Sequence, residues 1–157
     1  MYRPTASGFY LPEICVLEDE YEQLADLVCA APRSTPGIAL LWQELQRADV
    51  VPRARPDRVH LGSLVAFTDL RSDVHQAAQI VPPGALGDGR RLSVASAVGA
   101  ALIGLRTGDT FRWVSDGGEP RSIRVEQVSP DPEAAERQRA ARTAALRREV
   151  EEMLCIR

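Results

Sequence analysis

The sequence predicts a mixed α+β protein, with a short N-terminal antiparallel helical hairpin, a small antiparallel β domain and a further helix at the C-terminal end. Three observations predict this class. Apolar residues recur at helical spacing from residue 17 to residue 45. Short alternating runs bounded by Gly, Pro and Asp follow from residue 61. Beyond residue 130 the chain becomes rich in Ala, Arg and Glu, a composition that favours helix.

The first predicted helix begins near residue 18. Its apolar side chains fall on one face at the spacing i, i+4, i+7 and i+11, namely Leu17, Tyr21, Leu24 and Val28. Carboxylates cluster between residues 18 and 22, and the helix dipole favours anions in this first turn. We expect the apolar face to pack and the acidic residues at the base of the hairpin to be exposed.

The second predicted helix follows a break at residues 30–37, which contains two prolines. Thr35 is the predicted N-cap of this helix, with proline at its first helical position. Its predicted apolar face is formed by Ile38, Leu41, Trp42 and Leu45. Two short amphipathic helices joined by a short turn are typical of an antiparallel hairpin, here a short coiled coil over residues 13–49.

The β domain follows a predicted linker at residues 50–58, which holds two prolines and three arginines. Its predicted elements are strands at 61–68, 75–81, 92–94, 110–114 and 122–128, and a small-residue helix at 96–103. Ser96 is the predicted cap of that helix, and Gly104 is the predicted end. An Asp-Gly-Gly turn at 116–118 joins the last two strands as a hairpin.

The C-terminal helix is predicted to start at Pro132, with Asp131 as its cap. Its first half has no large apolar stripe. Its second half has one, formed by Leu146, Val150, Met153 and Leu154. This stripe either docks on the rest of the chain or supports self-association.

Composition limits the possible functions. The chain has 157 residues, 45% of them hydrophobic and 26% charged, which is the balance of a globular protein. No apolar run approaches the ~20 residues of a membrane-spanning helix, and no secretory signal is expected at the N-terminus. The net charge of -3, with every basic side chain an Arg, disfavours sequence-specific or general nucleic-acid binding.

Neither catalytic nor metal chemistry is predicted. The three cysteines are widely spaced, which is typical of buried thiols in a reducing, cytoplasmic compartment. The two histidines, His60 and His75, have no partners at metal-ligand spacing. Ser93 and Ser96 have no His and Asp companions at a recognisable spacing. We therefore expect no catalytic residues, no metal ligands and no cofactor.

Residues 93–109 carry a resemblance to a known family. They read SVASAVGAALIGLRTGD, and are followed by the turn at 116–118 and the strand at 123–128. This pattern resembles the C-terminal domain of the GreA/GreB transcript-cleavage factors, and in particular the Rnk-type members, which pair that domain with a short helical hairpin. The resemblance covers about residues 12–136, so the C-terminal helix, 132–157, departs from it.

The resemblance implies an FKBP-like fold for residues 59–131. In the Gre family this domain docks on RNA polymerase near the secondary channel, and the helical hairpin enters the channel. The partner expected from the resemblance is therefore RNA polymerase, and the expected class is transcription regulation. The name of the Rnk-type proteins refers to nucleoside diphosphate kinase, and the sequence shows no physical basis for such a link.

Transcript cleavage is not expected of this chain. The resemblance implies that Gre factors place carboxylates at the hairpin tip, where they help to hold a second Mg²⁺, an ion that takes oxygen ligands. Residues 30–37 contain no Asp or Glu and offer Arg33 instead, and the nearest carboxylates are Asp26 and Glu44. Each helix of about twelve residues reaches only about 18 Å.

The hairpin is nevertheless acidic. Residues 13–49 hold eight acids and two arginines, a net charge of -6, whereas residues 50–131 have a net charge of +1. An acidic hairpin would be steered toward a basic channel. The alternative is an ordinary solvated acidic face.

We therefore predict a non-enzymatic regulator that binds RNA polymerase. The predicted contact residues are Asp26, the tip residues Pro32, Arg33, Ser34 and Thr35, and the segment Val94, Ala95, Ser96, Ala97 and Val98. One alternative is an adaptor for another protein that binds through the C-terminal helix. The other is a peptidyl-prolyl isomerase, for which the β domain supplies only Phe67, Phe111 and Trp113 as aromatic lining.

Overall fold

The computed structural model describes residues 3–4, 10–85 and 90–155. The α+β class is confirmed. Along the chain, helices come before and after the strands that form a five-stranded sheet. In chain order the elements are β1 (Arg3–Pro4), β2 (Tyr10–Leu11), β3 (Cys15–Leu17), α1 (Glu18–Ala30), α2 (Ile38–Arg47), β4 (Asp49–Val51), β5 (Leu64–Asp69), β6 (Val74–Val81), a 3₁₀ turn (Pro83–Ala85), β7 (Arg91–Ser93), α3 (Ala97–Leu102), β8 (Thr110–Val114), β9 (Pro120–Ser129) and α4 (Pro132–Cys155).

The main sheet has the strand order β7-β6-β5-β9-β8. The pairs β5–β6, β5–β9 and β8–β9 are antiparallel, but β7 runs parallel to β6. The prediction of a wholly antiparallel domain is therefore wrong at this edge. The strand β7 pairs only with the last three residues of β6. The connection between the two parallel strands therefore has to return along a length of only three residues.

The predicted linker at residues 50–58 is partly built into the fold. Its first residues belong to β4, which pairs in parallel with β3. Its last residue, Arg58, is only 7% exposed. The Arg58 guanidinium donates to the carbonyl oxygens of Glu13, at 2.8 Å, and Gly104, at 3.2 Å. This arginine thus joins the segment before α1 to the end of α3.

One apolar core is shared by the N-terminal helices and the sheet. Its buried members are Ile14, Leu24, Leu41, Leu45, Val59, Val65, Phe67, Ile80, Val94, Ala100, Ala101, Leu102, Ile103, Leu105, Phe111, Ile123 and Val125. The first four come from the hairpin region, and the others come from the sheet, α3 and the segments beside them. Burial of apolar area is the main source of stability in such a fold, so the hairpin is held by the same core as the domain.

Trp42 does not pack inside the hairpin as predicted. The buried apolar face of α2 is formed by Ile38, Leu41 and Leu45, at the spacing i, i+3 and i+7. Trp42 follows Leu41 by one residue, which turns it about 100° around the helix. Its side chain is 46% exposed.

The C-terminal helix α4 stands away from the core. Every described side chain from Glu136 to Cys155 is exposed. The four residues of its apolar stripe range from 49% exposed for Val150 to 69% for Leu154. The option that this stripe docks on its own chain is therefore wrong. No helix within the described ranges is both long enough and apolar enough to cross a lipid bilayer.

Candidate partner-binding site

The structure brings the hairpin tip and the start of α3 to one groove. The groove has a volume of about 960 Å³. It is lined from the N-terminal part by Leu11, residues 33–37, Ala39, Leu40, Gln43 and Glu44, and from the sheet domain by Ala97 and residues 111–117. Two segments that the sequence singled out separately, the tip and the start of α3, thus contribute to the same surface.

Gly37 allows this close approach. Its φ is +84°, in the left-handed region, and a β-carbon built on it would lie 2.4 Å from the carbonyl oxygen of Ala95. Gly37, rather than Thr35, is the N-cap of α2. Thr35 instead belongs to the turn before it, where its N–H donates to the Pro32 carbonyl at 2.9 Å. The tip is therefore folded onto the start of α3 and does not project freely.

The start of α3 is built by two serines, and its predicted cap is confirmed. The Ser96 hydroxyl accepts the N–H of Gly99 at 3.1 Å and donates to the Ser93 carbonyl at 2.6 Å. A β-carbon on Gly99 would lie only 2.0 Å from that Ser93 carbonyl oxygen. The serines and Gly99 thus have a structural role, which fixes the backbone against which the tip packs.

The predicted contact residues of the tip are accessible. Pro32, Arg33 and Ser34 are exposed, and Thr35 is half-buried. Arg33, Ser34 and Thr35 line the groove. Asp26 is exposed on α1, outside the residues that line the groove.

The predicted contact segment 94–98 is only partly accessible. Val94 and Ala95 are 0% and 6% exposed, so their side chains are covered by the core. Ser96, Ala97 and Val98 are half-buried, and Ala97 lines the groove. Only the last three residues of this segment are therefore accessible to a partner.

A buried ion pair lies at the base of the groove. Glu44 is 3% exposed, and its carboxylate accepts hydrogen bonds from the Arg47 guanidinium, one of them at 2.9 Å. Arg47 also donates to the Pro12 carbonyl and lies over the Phe111 ring, 5.9 Å from its centroid. Burial raises the pKa of Glu44 above its ordinary value, and the bonds and charge of Arg47 oppose that shift.

A second buried carboxylate anchors the start of α1. Glu20 was expected to be one of the exposed acids at the base of the hairpin, but it is 6% exposed. Its carboxylate accepts the N–H groups of Leu17, at 3.1 Å, and Leu61, at 2.5 Å, and lies 2.7 Å from Nδ1 of His60. The Arg55 N–H donates to Nε2 of His60 at 3.1 Å, which assigns the proton of this neutral imidazole to Nδ1.

Sequence reasoning did not identify the wall of the groove that comes from β8. Arg112 on this wall is exposed, and Trp113 is half-buried. Trp113 lies below the Arg121 guanidinium, 5.7 Å from it, and packs beside Phe111 with the ring centroids 5.8 Å apart. No local sequence signal pairs β8 with α2, because the two elements lie far apart in the chain.

The other chemistry considered from the sequence finds little support in the geometry. Phe111 and Trp113 border the groove, but Phe67 lies outside it, and Phe67 and Phe111 are only 3% and 1% exposed, so the three aromatic residues do not together line an open pocket of the isomerase kind. The Asp109 carboxylate accepts the backbone N–H of Arg106 at 2.9 Å, so it stabilises the turn before β8. Within residues 3–4, 10–85 and 90–155, no group of three or more His, Cys, Asp or Glu side chains is placed to hold a metal ion.

Comparison with known proteins identifies the family. The sequence profile described as "Transcription elongation factor, GreA/GreB, C-term" matches residues 54–130. The "Regulator of nucleoside diphosphate kinase" of Escherichia coli K12 is 38% identical over 95 residues, which is 59% of this chain and 70% of that protein. The protein of the same name from Shigella flexneri matches to the same extent. The chain belongs to the GreA/GreB family.

A solved structure of the GreA/GreB family extends the match to the fold. "Prokaryotic transcription elongation factor GreA/GreB from Nitrosomonas europaea" is 31% identical, with a TM-score of 0.58, and the alignment covers 75% of this chain and 98% of that one. The GreA/GreB profile includes β5 to β9 and α3. The α2 side of the groove lies before the profile and α4 lies after it, so the groove joins the family domain to the hairpin.

Proposed function

We propose that this chain is a cytoplasmic, non-enzymatic transcription regulator that binds RNA polymerase near its secondary channel without stimulating transcript cleavage. Membership of the GreA/GreB family supports polymerase as the partner. The observation that carries the proposal is the hairpin tip, which contains no carboxylate and is folded against α3.

The absence of cleavage follows from where the carboxylates lie. Delivery of a second Mg²⁺ to the polymerase needs exposed oxygen ligands at the leading end of the hairpin. Asp26 lies four residues before the end of α1, about 6 Å along the helix axis. Glu44 is buried and bonded to Arg47. Neither carboxylate is available at the tip.

The charge of the hairpin supports docking at a basic surface. Of its eight acids, Glu20 and Glu44 are buried, and the other six, Glu13, Glu18, Asp19, Glu22, Asp26 and Asp49, are exposed. Exposed charge of one sign raises the rate of encounter with an oppositely charged partner. The groove itself is lined by two arginines, Arg33 and Arg112, which would pair with acidic groups of the partner and give the contact its specificity.

Binding of core RNA polymerase, measured by co-elution and by interferometry with immobilised enzyme, tests the proposal. We expect Arg33→Glu and Arg112→Glu to weaken binding by about tenfold each, because each sets a negative charge against the acidic partner group that the arginine would meet. Arg53→Glu is the matched control, since Arg53 is exposed outside the groove. A Gre factor should displace the chain. Failure to bind polymerase, or equal weakening by all three substitutions, would contradict the proposal.

The adaptor alternative is favoured only by the exposure of α4. Deleting residues 137–157 separates the two functions. We expect polymerase binding to survive the deletion, because none of the described residues that line the groove belongs to α4. Loss of polymerase binding would place the contact on the C-terminal helix instead.

A further inference from the structure

The strand β8 forms one edge of the main sheet, and its outer side faces the groove. In the strand order β7-β6-β5-β9-β8 it is the last strand, paired with β9. The groove is lined by every residue from Phe111 to Val114 and by the turn that follows. Successive side chains of a strand point to opposite faces of a sheet. A cavity lined by consecutive strand residues therefore runs along the edge of the strand and not over one face.

The hydrogen-bond pattern of the β8–β9 pair identifies the main-chain groups that face the groove. The Ser115 N–H donates to the Glu119 carbonyl at 2.8 Å, and the antiparallel register continues unbroken from there to Thr110. Residues that bond to the neighbouring strand alternate with residues that do not, so the N–H and C=O groups of Arg112 and Val114 point away from β9. Within the described part of the chain, these groups make no hydrogen bond on the groove side.

The charges beside this edge favour an acidic occupant. Arg112 belongs to the strand itself, and Arg33 lines the groove from the hairpin side; both are exposed. Neither arginine forms an ion pair with another described residue. Of the acids that line the groove, Glu44 is bonded to Arg47, and Asp116 lies in the turn beyond the end of β8. The edge of the strand is therefore positively charged.

The main-chain groups on this edge favour a polypeptide of a different kind from this chain. An extended polypeptide satisfies both the N–H and the C=O groups of a strand edge with its own main chain. A phosphate group would accept from the N–H groups but would offer no donor to the carbonyl oxygens. Charged side chains on an edge strand act against pairing with the same edge of a second copy, and Arg112 is such a side chain.

We propose that an extended acidic segment of RNA polymerase binds in the groove by adding a strand to β8. This inference rests on the proposed function, which supplies the partner. The added main chain bonds to the N–H and C=O groups of Arg112 and Val114, and its acidic side chains pair with Arg33 and Arg112. Main-chain bonds of this kind give affinity, whereas side-chain contacts select the sequence. The five residues of β8 span about 17 Å, so the contact takes a segment of similar length.

Removal of one main-chain donor tests the strand addition. Val114→Pro deletes an N–H that faces the groove, and proline is tolerated where the N–H of an edge strand points outward. Val114→Ala is the matched control, because it shortens the same exposed side chain and keeps the N–H. With immobilised core RNA polymerase, we expect Val114→Pro to raise the dissociation constant about tenfold or more, because one main-chain hydrogen bond is lost and the proline ring blocks the edge. Val114→Ala should change it by less than about threefold.

Amide hydrogen exchange, resolved to single residues, is the second measurement and does not depend on any variant. In the free chain we expect the N–H groups of Arg112 and Val114 to exchange faster than those of Phe111 and Trp113, which face β9. Binding of core RNA polymerase should slow exchange at Arg112 and Val114 about tenfold or more, because the added strand accepts from both. Side-chain contacts alone would leave these two rates unchanged.

The outcomes distinguish this inference from the proposed function. A chain that binds polymerase with unchanged exchange at Arg112 and Val114, or whose Val114→Pro variant binds as tightly as the original, overturns strand addition and leaves the polymerase contact standing. A chain that does not bind polymerase overturns both. Slow exchange at these residues in the absence of polymerase, together with a doubled mass in solution, would assign the edge to a second copy and also overturn the inference.

Discussion

Helices α2 and α4 are stabilised in opposite ways. The ten-residue α2 is shorter than an isolated helix that is stable in water, and it buries Ile38, Leu41 and Leu45 in the core shared with the sheet. The 24-residue α4 buries none of its described side chains from Glu136 onward. The first helix depends on tertiary contacts, whereas the second depends on its own helix propensity and leaves its apolar residues exposed. Substitutions in the two helices should therefore have different consequences.

The largest expected effect is a difference in stability between alanine substitutions at two leucines, one in α2 and one in α4. Leu41 is 0% exposed and Leu154 is 69% exposed. Leu41→Ala should lower the free energy of unfolding by about 2–5 kcal/mol, because it removes core contacts and leaves a cavity. Leu154→Ala should change it by less than about 0.5 kcal/mol. Urea denaturation measures both. Equal losses would mean that α4 is packed as firmly as α2.

The next effect tests how the tip is attached. Gly37→Ala should destabilise the protein by about 2 kcal/mol, because the left-handed backbone is strained for alanine and the new methyl group meets the Ala95 carbonyl. Gly117→Ala is the control, since the nearest atom to a β-carbon there is 3.9 Å away and its φ is not in the left-handed region. Thermal unfolding of both variants checks this. If Gly37→Ala is as stable as Gly117→Ala, the tip does not rest on α3.

The smallest effect concerns pH. Burial raises the folded-state pKa of Glu44 above the ordinary value of 4.5. The folded protein therefore holds this proton more tightly than the unfolded chain does, and the resulting stability is complete below pH 4.5 and is lost as the pH rises through the folded-state pKa. Relative to Glu44→Gln, the original chain should therefore become less stable across that window. Urea denaturation of both proteins at several pH values measures this, and a rise in the stability of the original chain relative to Glu44→Gln as the pH increases would contradict the account.

The elements that sequence alone located correctly depend on neighbouring residues. The strand at 110–114 has the predicted bounds, and the Ser96 cap acts on Gly99, three residues away. The alternation of side chains determines the strand, and one local hydrogen bond determines the cap. The resemblance of residues 93–109 to the GreA/GreB family predicted a domain of the GreA/GreB C-terminal type. The match of the family profile to residues 54–130 confirms this family assignment.

The candidate partner-binding site is formed by contacts between residues that lie far apart in the chain, and no local sequence pattern predicts such contacts. Glu20 and His60 are 40 positions apart, and nothing in the helical pattern of residues 18–30 distinguishes Glu20 from its exposed neighbours. The approach of Gly37 to Ala95 and the position of Arg112 opposite α2 are also tertiary. The tip residues could be named because they lie in a turn, but the groove they form could not.

Transcript cleavage in stalled elongation complexes is the most direct measurement of the central claim. Complexes with backtracked RNA are incubated at ordinary Mg²⁺ concentration with the chain, with a Gre factor, and with both. We expect the chain alone to give no more RNA shortening than polymerase alone, because its tip offers no carboxylate, and we expect an excess of the chain to suppress cleavage by the Gre factor. Stimulated cleavage by the chain itself would contradict the account.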